Sequence, residues 1–367
     1  MTAPSSLGSP PAGVTDPVVS PPVAVGPASA PDRLRRRRRV AATTVAVALV
    51  VLVAVAVLGL ISGRPSLAPA DLPDVLLAPS GDRMRIAVLD LRAPRIVLAI
   101  LAGLCLGLAG ALLQDGLRNP LASPELLGVS NGCAVVVAAI AILHLPVPRV
   151  WVPLAALVGG LAVGALCLLA GIRLRSTSAQ VLCGLACASF LSGCVVALVT
   201  LGAPGSSGLL YQYLLGSLAN RGWEDVRLVA GWGLIAVPAA LLLARSLNTL
   251  RLGDDVARGL GVRVGLVRGL LLVVASLLTA AVVAVCGPIG FVALLAPHLV
   301  RRLLQTADAR WVLPMSAVVG AVVLPVADTA ARVVADPREI AAGIVTVLIG
   351  APVLLAMLRT RALRVAS

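Results

Sequence analysis

The stretch LGDDVARGLGV, residues 252–262, is a short polar island between two long apolar runs. Asp254 and Asp255 are acids where a helix prefers to begin, and Gly261 is a glycine where a helix prefers to end, so about two turns of helix are predicted between them. Arginines surround this segment at positions 245, 251, 258, 263 and 268. Because basic residues favour the cytoplasmic side of a membrane, we expect a short capped helix at the cytoplasmic membrane surface, available for contact with another protein.

The composition around this island indicates a polytopic, all-α membrane protein. Of 367 residues, 59% are apolar and 13% charged, and the mean hydropathy is +1.03. The net charge of +14 is carried by arginines at the ends of apolar runs, which favours membrane topology over nucleic-acid binding. The chain has no lysine, so a phosphate-binding loop ending in Gly-Lys is excluded. If ATP is used, another chain must hydrolyse it.

About ten membrane spans are predicted, between two tails. Residues 1–39 are expected to be a disordered tail that ends in an arginine run, residues 40–358 a transmembrane domain, and residues 359–367 a cytoplasmic C-terminal tail. Val40–Ile61 is long enough for an uncleaved first span. Further spans are predicted near 95–113, 126–143, 150–172, 179–201, 226–243, 266–286, 291–304, 312–334 and 340–357. A cytoplasmic N-terminus then places 20 of the 30 arginines inside. The eighth span is short and follows Gly287-Pro288, which predicts a half-helix after a break.

Several motifs occur in a characteristic order. They are LRAPR (91–95), GALLQDGLRNPLASPELLGVSNG (110–132), YQYLLGSL (211–218) with Trp223, LGDDVARGLGV (252–262), GPIGFVALLAPHLVRRL (287–303) and GIVTVLIGAP (343–352). From about residue 85 to 358 the chain thereby resembles the permease subunits of binding-protein-dependent ABC importers for iron-siderophores, haem and vitamin B12. The resemblance implies the type II ABC importer permease fold in a bacterial cytoplasmic membrane, with iron-siderophore complexes as the commonest substrate.

The resemblance also implies partners and site residues. The chain would be a transport subunit, not an enzyme, without a cofactor of its own. ATP and magnesium would be bound by partner ATPase subunits, a second permease subunit would complete the pore, and an extracytoplasmic binding protein would deliver the substrate. The ATPase-coupling residues would be Leu252, Gly253, Asp254, Asp255, Ala257, Arg258, Leu260 and Gly261. Binding-protein docking would use Arg92, Arg95 and Arg332, of which the first two are one helical turn apart and so expected to face one partner together. The translocation pathway would include Gly287, Pro288, Gly290, Phe291, Pro297 and His298.

Other assignments stay open at this level. Asp328 lies well inside an apolar run, where we expect it to be paired or to cap a helix at a break after Pro325, although with His298 it could serve a proton-coupled secondary transporter. The GVSNG sequence, 128–132, matches the G-x-S-x-G pattern of serine hydrolases, with Ser130 as nucleophile and His298 or His144 as base, but it begins a membrane helix instead of following a strand.

Two further features concern cysteines and departures from the family pattern. Cys183, Cys187 and Cys194 share one helical face. They could form a soft-metal site, but small residues on one face are more typical of helix packing. The segment 336–343 lacks a proline that relatives carry, and Tyr213 stands where many relatives have tryptophan.

Overall fold

The chain folds into α-helices throughout its described part. The computed structural model describes residues 30–63, 67–79, 81–174, 177–201, 215–335 and 340–365, and no strand occurs among them. The helices are α1 (Ala30–Ile61), α2 (Leu72–Leu77), α3 (Arg83–Ile86), α4 (Ala93–Gly116), α5 (Val129–Ile142), α6 (Val152–Leu174), α7 (Thr177–Leu201), α8 (Trp223–Leu242), α9 (Ala244–Leu250), α10 (Asp254–Gly259), α11 (Val264–Cys286), α12 (Val292–Leu304), α13 (Ala309–Ala335) and α14 (Ala342–Val365). A π-helical segment, Ala87–Arg92, leads into α4.

Every predicted span coincides with one of these helices. In the described part, six helices are long and apolar enough to cross a membrane, and three shorter apolar helices accompany them at Val129–Ile142, Leu182–Leu198 and Ala342–Ala356. The remaining predicted span is α12, whose 13 residues measure about 20 Å and fall short of the roughly 30 Å hydrocarbon core. The expectation of a half-helix there is confirmed.

Helix α4 is the centre of the molecule. It packs against α8, α11, α12 and most extensively against α13. Its leucines at 98, 106, 108 and 112 are almost completely buried. In a membrane, helices cannot gain from leaving water, so close van der Waals packing has to hold them together.

A seam of small residues provides this packing between α4 and α13. A Cβ on Gly103 would lie 2.1 Å from the Gly320 carbonyl oxygen, and one on Gly107 would lie 2.2 Å from the Ser316 carbonyl oxygen. The two backbones are therefore in direct contact, at a distance that only glycine allows at these positions.

The predicted tails need two corrections. The chain divides into the units Met1–Arg39 and Val40–Ser367. Helix α1 begins at Ala30, so the arginine run at 35–39 is helical and not part of a disordered tail; the expectation for residues 1–29 falls outside the described residues. At the other end, α14 continues to Val365, so the last span and most of the predicted C-terminal tail form one helix.

Candidate functional site

The predicted polar island forms the short helix α10, and glycines define both of its ends. Gly253 precedes the helix with φ +113° and Gly261 follows it with φ +82°, in conformations that side chains rarely adopt. The amide of Gly261 donates to the Arg258 carbonyl and that of Val262 donates to the Ala257 carbonyl, each at 2.9 Å, which is the Schellman arrangement. The helix covers one and a half turns, close to the predicted two.

Asp254 ties α10 to the rest of the protein. Its two carboxylate oxygens accept a bidentate pair of hydrogen bonds from Arg268 of α11, both at 3.0 Å. Arg118, in the loop after α4, also donates to Asp254. The neighbouring Asp255 differs, because its side chain is 98% exposed and pairs only locally, with Arg258. One acid of the predicted pair thus anchors the helix and the other faces outward.

An apolar stripe, formed by one residue of this helix and one residue beyond each end, is exposed at the protein surface. Leu252, Val256 and Leu260, spaced four residues apart, are 63%, 50% and 64% exposed, whereas Ala257 on the inner side is fully buried. Val256 lies within α10, and Leu252 and Leu260 flank its two ends. Exposed apolar surface of this kind commonly marks a contact with another surface. We therefore expect a partner to cover the stripe.

Two of the predicted docking arginines meet at the end of α1. Arg92 Nη1 donates to the Leu60 carbonyl at 2.6 Å, and Arg332 donates to the carbonyls of Gly59, at 3.1 Å, and Ser62. Both guanidinium groups therefore satisfy carbonyls at a helix C-terminus, where positive charge is favourable.

The third docking arginine, Arg95, lies inside the protein. Its Nε and Nη2 donate to the two carboxylate oxygens of Asp328, each at 2.9 Å, and both side chains are buried. The expected pairing of Asp328 is confirmed, but α13 runs unbroken through Pro325. The expectation that Arg92 and Arg95 face one partner surface is wrong, because they are only 6% and 7% exposed and contact different helices. A contact of these arginines with a binding protein stays a prediction.

The predicted break before α12 is present. Gly287 ends α11 with φ +74°, and Phe291 precedes α12 in the left-handed region with φ 65°. The break packs against backbone: Ser217 donates to the Cys286 carbonyl at 2.9 Å, and a Cβ on Gly216 would lie 2.2 Å from the Pro288 carbonyl oxygen. Irregular backbone at membrane depth requires such protein contacts.

Phe291 and Gly290 connect this break to α14. A Cβ on Gly350 of α14 would lie 2.6 Å from the Phe291 Cβ, and Gly290 is nearest to Val347. Gly343, at the start of α14, donates to the Gly216 carbonyl at 2.9 Å. The break, the segment before α8 and the start of α14 are thus brought together.

Pro297 and His298 have structural roles in α12. Proline has no amide to offer the Ala293 carbonyl, and Gly110 of α4 approaches that oxygen so closely that a Cβ would lie 1.7 Å from it. His298 Nδ1 donates to the Leu294 carbonyl at 2.9 Å, as expected of a structural donor.

Sequence reasoning missed a polar cluster where α4 ends. Arg301 of α12 donates to Gln114 and, at 2.9 Å, to Asp115, and Gln114 also donates to the Leu294 carbonyl at 3.3 Å. Gln114 and Asp115 are buried. The available sequence signal was that these two polar residues lie at the end of one apolar helix and Arg301 lies at the end of another.

The geometry of the described residues supports neither the serine hydrolase nor the proton-coupled transporter. Ser130 is 1% exposed and occupies the first turn of α5, after turns and not after a strand. Asp328 is engaged by Arg95. Tyr213 and residues 336–339 of the departing segment lie outside the described residues.

Comparison with known proteins gives a consistent result. The pattern of the FecCD transport family matches residues 48–360. The Fe(3+)-citrate import system permease protein YfmE of Bacillus subtilis (strain 168) is 40% identical over 274 residues, 74% of this chain and 81% of that protein. The cobalamin import system permease protein BtuC of Halobacterium salinarum is 39% identical over 284 residues, 76% of this chain and 75% of that protein.

A solved structure agrees with these relatives. A putative metal-chelate type ABC transporter in an inward-facing conformation superposes with a TM-score of 0.72 at 29% identity, over 86% of this chain and 98% of that one. The fold, the motif order and the relatives agree, and the chain belongs to the FecCD transport family.

Proposed function

We propose that this chain is the permease subunit of a binding-protein-dependent ABC importer that moves ferric chelates, of the iron-siderophore type, into the cytoplasm. ATP and magnesium are bound by separate ATPase subunits, and a second permease subunit completes the pathway. The family supports a permease, and the relative named for Fe(3+)-citrate import supports an iron chelate as substrate.

The exposed stripe on α10 is the observation that carries the proposal. Leu252, Val256 and Leu260 present an apolar surface, and Asp254 holds the helix to α11 and to the loop after α4. An amphipathic helix of this kind fits an apolar groove on a partner. Movement of the ATPase subunits would therefore reach the membrane helices through α10.

The broken region before α12 is our candidate for the pathway. Helices on either side of a break can shift relative to each other without distorting a continuous hydrogen-bond ladder. Gly287 and Phe291 absorb the unusual backbone angles, and Phe291 contacts α14. A shift of α12 would therefore act directly on the position of α14.

Docking of a binding protein at the outer arginines is the remaining part of the proposal. Arg332 is the most accessible of the three, and Arg92 lies beside it at the end of α1. Acidic side chains on a partner could approach Arg332 first and would mainly orient the encounter, since exposed pairs are worth about 0.2–1 kcal/mol each.

Uptake of a radiolabelled ferric siderophore tests the proposal. Cells that carry the gene with its partner genes are compared with cells that lack only this gene, and with cells that carry Asp254→Arg. We expect uptake in the first cells alone, and its persistence when an uncoupler removes the proton gradient at constant ATP. Uptake that is lost with the proton gradient, and that is unchanged by Asp254→Arg, would instead support the proton-coupled alternative.

Radiolabelled cobalamin provides the substrate control. Identity to the iron-citrate and cobalamin permeases is nearly equal, at 40% and 39%, so sequence identity does not separate the two substrates. Gene-dependent uptake of cobalamin without uptake of ferric siderophore would contradict the substrate and leave the importer assignment standing.

A further inference from the structure

Three cysteine side chains converge where the neighbouring helices α6 and α7 pack together. They are Cys167 of α6 and Cys183 and Cys187 of α7, and their sulfur atoms all lie within 4.8 Å of one another. Sequence analysis expected Cys194 to join Cys183 and Cys187. The structure replaces it with Cys167, because the inner face of α7 meets α6 at this level.

The surroundings hold the three thiols in place. Cys167 is fully buried, and its thiol donates to the Leu127 carbonyl at 3.3 Å. Gly184, between the two cysteines of α7, packs so tightly that a Cβ would lie 2.2 Å from the Leu126 carbonyl oxygen. The same loop therefore positions both helices. Cys183 and Cys187 are partly exposed, so the described residues do not enclose the three thiols completely.

The spacing suits a single thiophilic ion. Metal–sulfur bonds of about 2.3 Å in a trigonal plane place the sulfur atoms about 4 Å apart, so the three thiols need to approach by less than about 1 Å. All three cysteines are free of disulfides. Thiolate ligands select soft ions such as Cu(I) over the hard ferric ion.

We propose that Cys167, Cys183 and Cys187 form a three-coordinate sulfur site for a soft metal ion, Cu(I) in the first place. The oxidation state of the ion does not change on binding. Thiols that become thiolates release their protons to water, and two thiolates with one neutral thiol leave a single negative charge on the site. The site is independent of the transport proposal, since it needs neither ATP nor a ferric chelate.

Copper titration of the purified full-length protein tests this site. Under anaerobic reducing conditions, Cu(I) is supplied from a coloured chelate, whose bleaching reports transfer to the protein. We expect one tight equivalent in the parent protein, and an affinity at least tenfold lower in Cys183→Ser and in Cys187→Ser. Both positions are partly exposed, so these variants are expected to fold, which size-exclusion chromatography checks.

Cys194→Ser is the matched control, because it removes a thiol from the same helix outside the cluster. This variant should still bind one equivalent of Cu(I) with the affinity of the parent protein. X-ray absorption of the copper-loaded protein should show three sulfur ligands at about 2.3 Å. The site would be overturned by equal affinity in Cys187→Ser and the parent protein, by an equal loss in Cys194→Ser, or by a shell of nitrogen or oxygen ligands.

Discussion

At the scale of single residues, the ion pair between Arg95 and Asp328 is buried on both sides. Both carboxylate oxygens and two guanidinium nitrogens are used, and the pair joins α4 to α13 at a buried position. A buried charge that loses its partner is far more costly than an exposed one.

We expect Asp328→Asn to destabilise the protein by about 3–5 kcal/mol, because the Arg95 charge stays buried without its carboxylate. The midpoint of thermal unfolding in detergent measures this. The double variant Arg95→Leu/Asp328→Leu should recover part of the loss. Asp255→Asn, at the exposed pair with Arg258, is the control and should change the midpoint little. Equal effects of Asp328→Asn and Asp255→Asn would contradict the expected cost.

Glu125 gives a residue-scale prediction about pH. It lies in the loop between α4 and α5, its carboxylate oxygens are buried, and neither has a hydrogen-bond partner among the described residues. Burial raises the pKa of Glu125 to about 7 from the ordinary value of 4.5. Between these values the unfolded chain releases a proton that the folded protein retains, so folding stability falls as pH rises from about 4.5 to 7.

Glu125→Gln should remove this loss of stability, which amounts to at most about 3 kcal/mol. We expect the variant to unfold at a higher temperature than the parent at pH 8 and at a similar temperature at pH 5. Unfolding midpoints at both pH values check this. A difference between the two proteins that is the same at pH 5 and pH 8 would show that Glu125 does not titrate in this range.

At the scale of helices, the glycine seam between α4 and α13 can be tested with two identical substitutions. Gly107→Ala adds a Cβ that would lie 2.2 Å from the Ser316 carbonyl oxygen, so the helices must separate, at a cost of about 3 kcal/mol. Gly231→Ala, inside α8, meets nothing within 4 Å and should stabilise by about 0.5–1 kcal/mol, through the higher helix propensity of alanine. Unfolding midpoints of the two variants should therefore shift in opposite directions.

The apolar stripe of α10 provides a second prediction for a helix. Val256→Asp and Leu260→Asp place charges on side chains that are 50% and 64% exposed, so folding should be unaffected. A charge buried in a partner's groove is unfavourable, and we expect each variant to lose at least tenfold in ATP-dependent ferric siderophore uptake. Asp74→Ala, at an exposed position of α2, is the control. Normal uptake by both stripe variants would mean that no partner covers this face.

The limits of sequence reasoning are clearest for these elements. Caps, glycines and apolar runs are local signals, so α10 and the break before α12 could be predicted together with the spans. The face of α4 that meets α13 is decided by packing across more than 200 residues, and nothing local distinguishes an inward arginine from an outward one. For this reason the need of Asp328 for a partner was predicted but Arg95 was not identified, and Cys183 and Cys187 were grouped without Cys167.

At the scale of the whole molecule, ten spans would place both termini on the same side of the membrane, provided that α12 and the break before it together make one crossing. From the arginine distribution we expect that side to be the cytoplasm. A cysteine-containing tag at either end should be labelled by a membrane-impermeant maleimide only after the cells are opened, in a variant whose partly exposed native cysteines are replaced. Labelling of one terminus in intact cells would show an odd number of crossings.

The distance in sequence between Arg95 and Asp328 also affects how the protein is made. The two residues are 233 positions apart. At about 5–20 residues per second, the ribosome adds Asp328 roughly 10–50 s after Arg95. Throughout this interval the second span carries a charge whose counter-ion does not yet exist, which opposes its stable burial in lipid. Stable insertion of the second span must therefore wait until the ninth span has been synthesised. A chain truncated before Asp328 should be degraded early by membrane quality control.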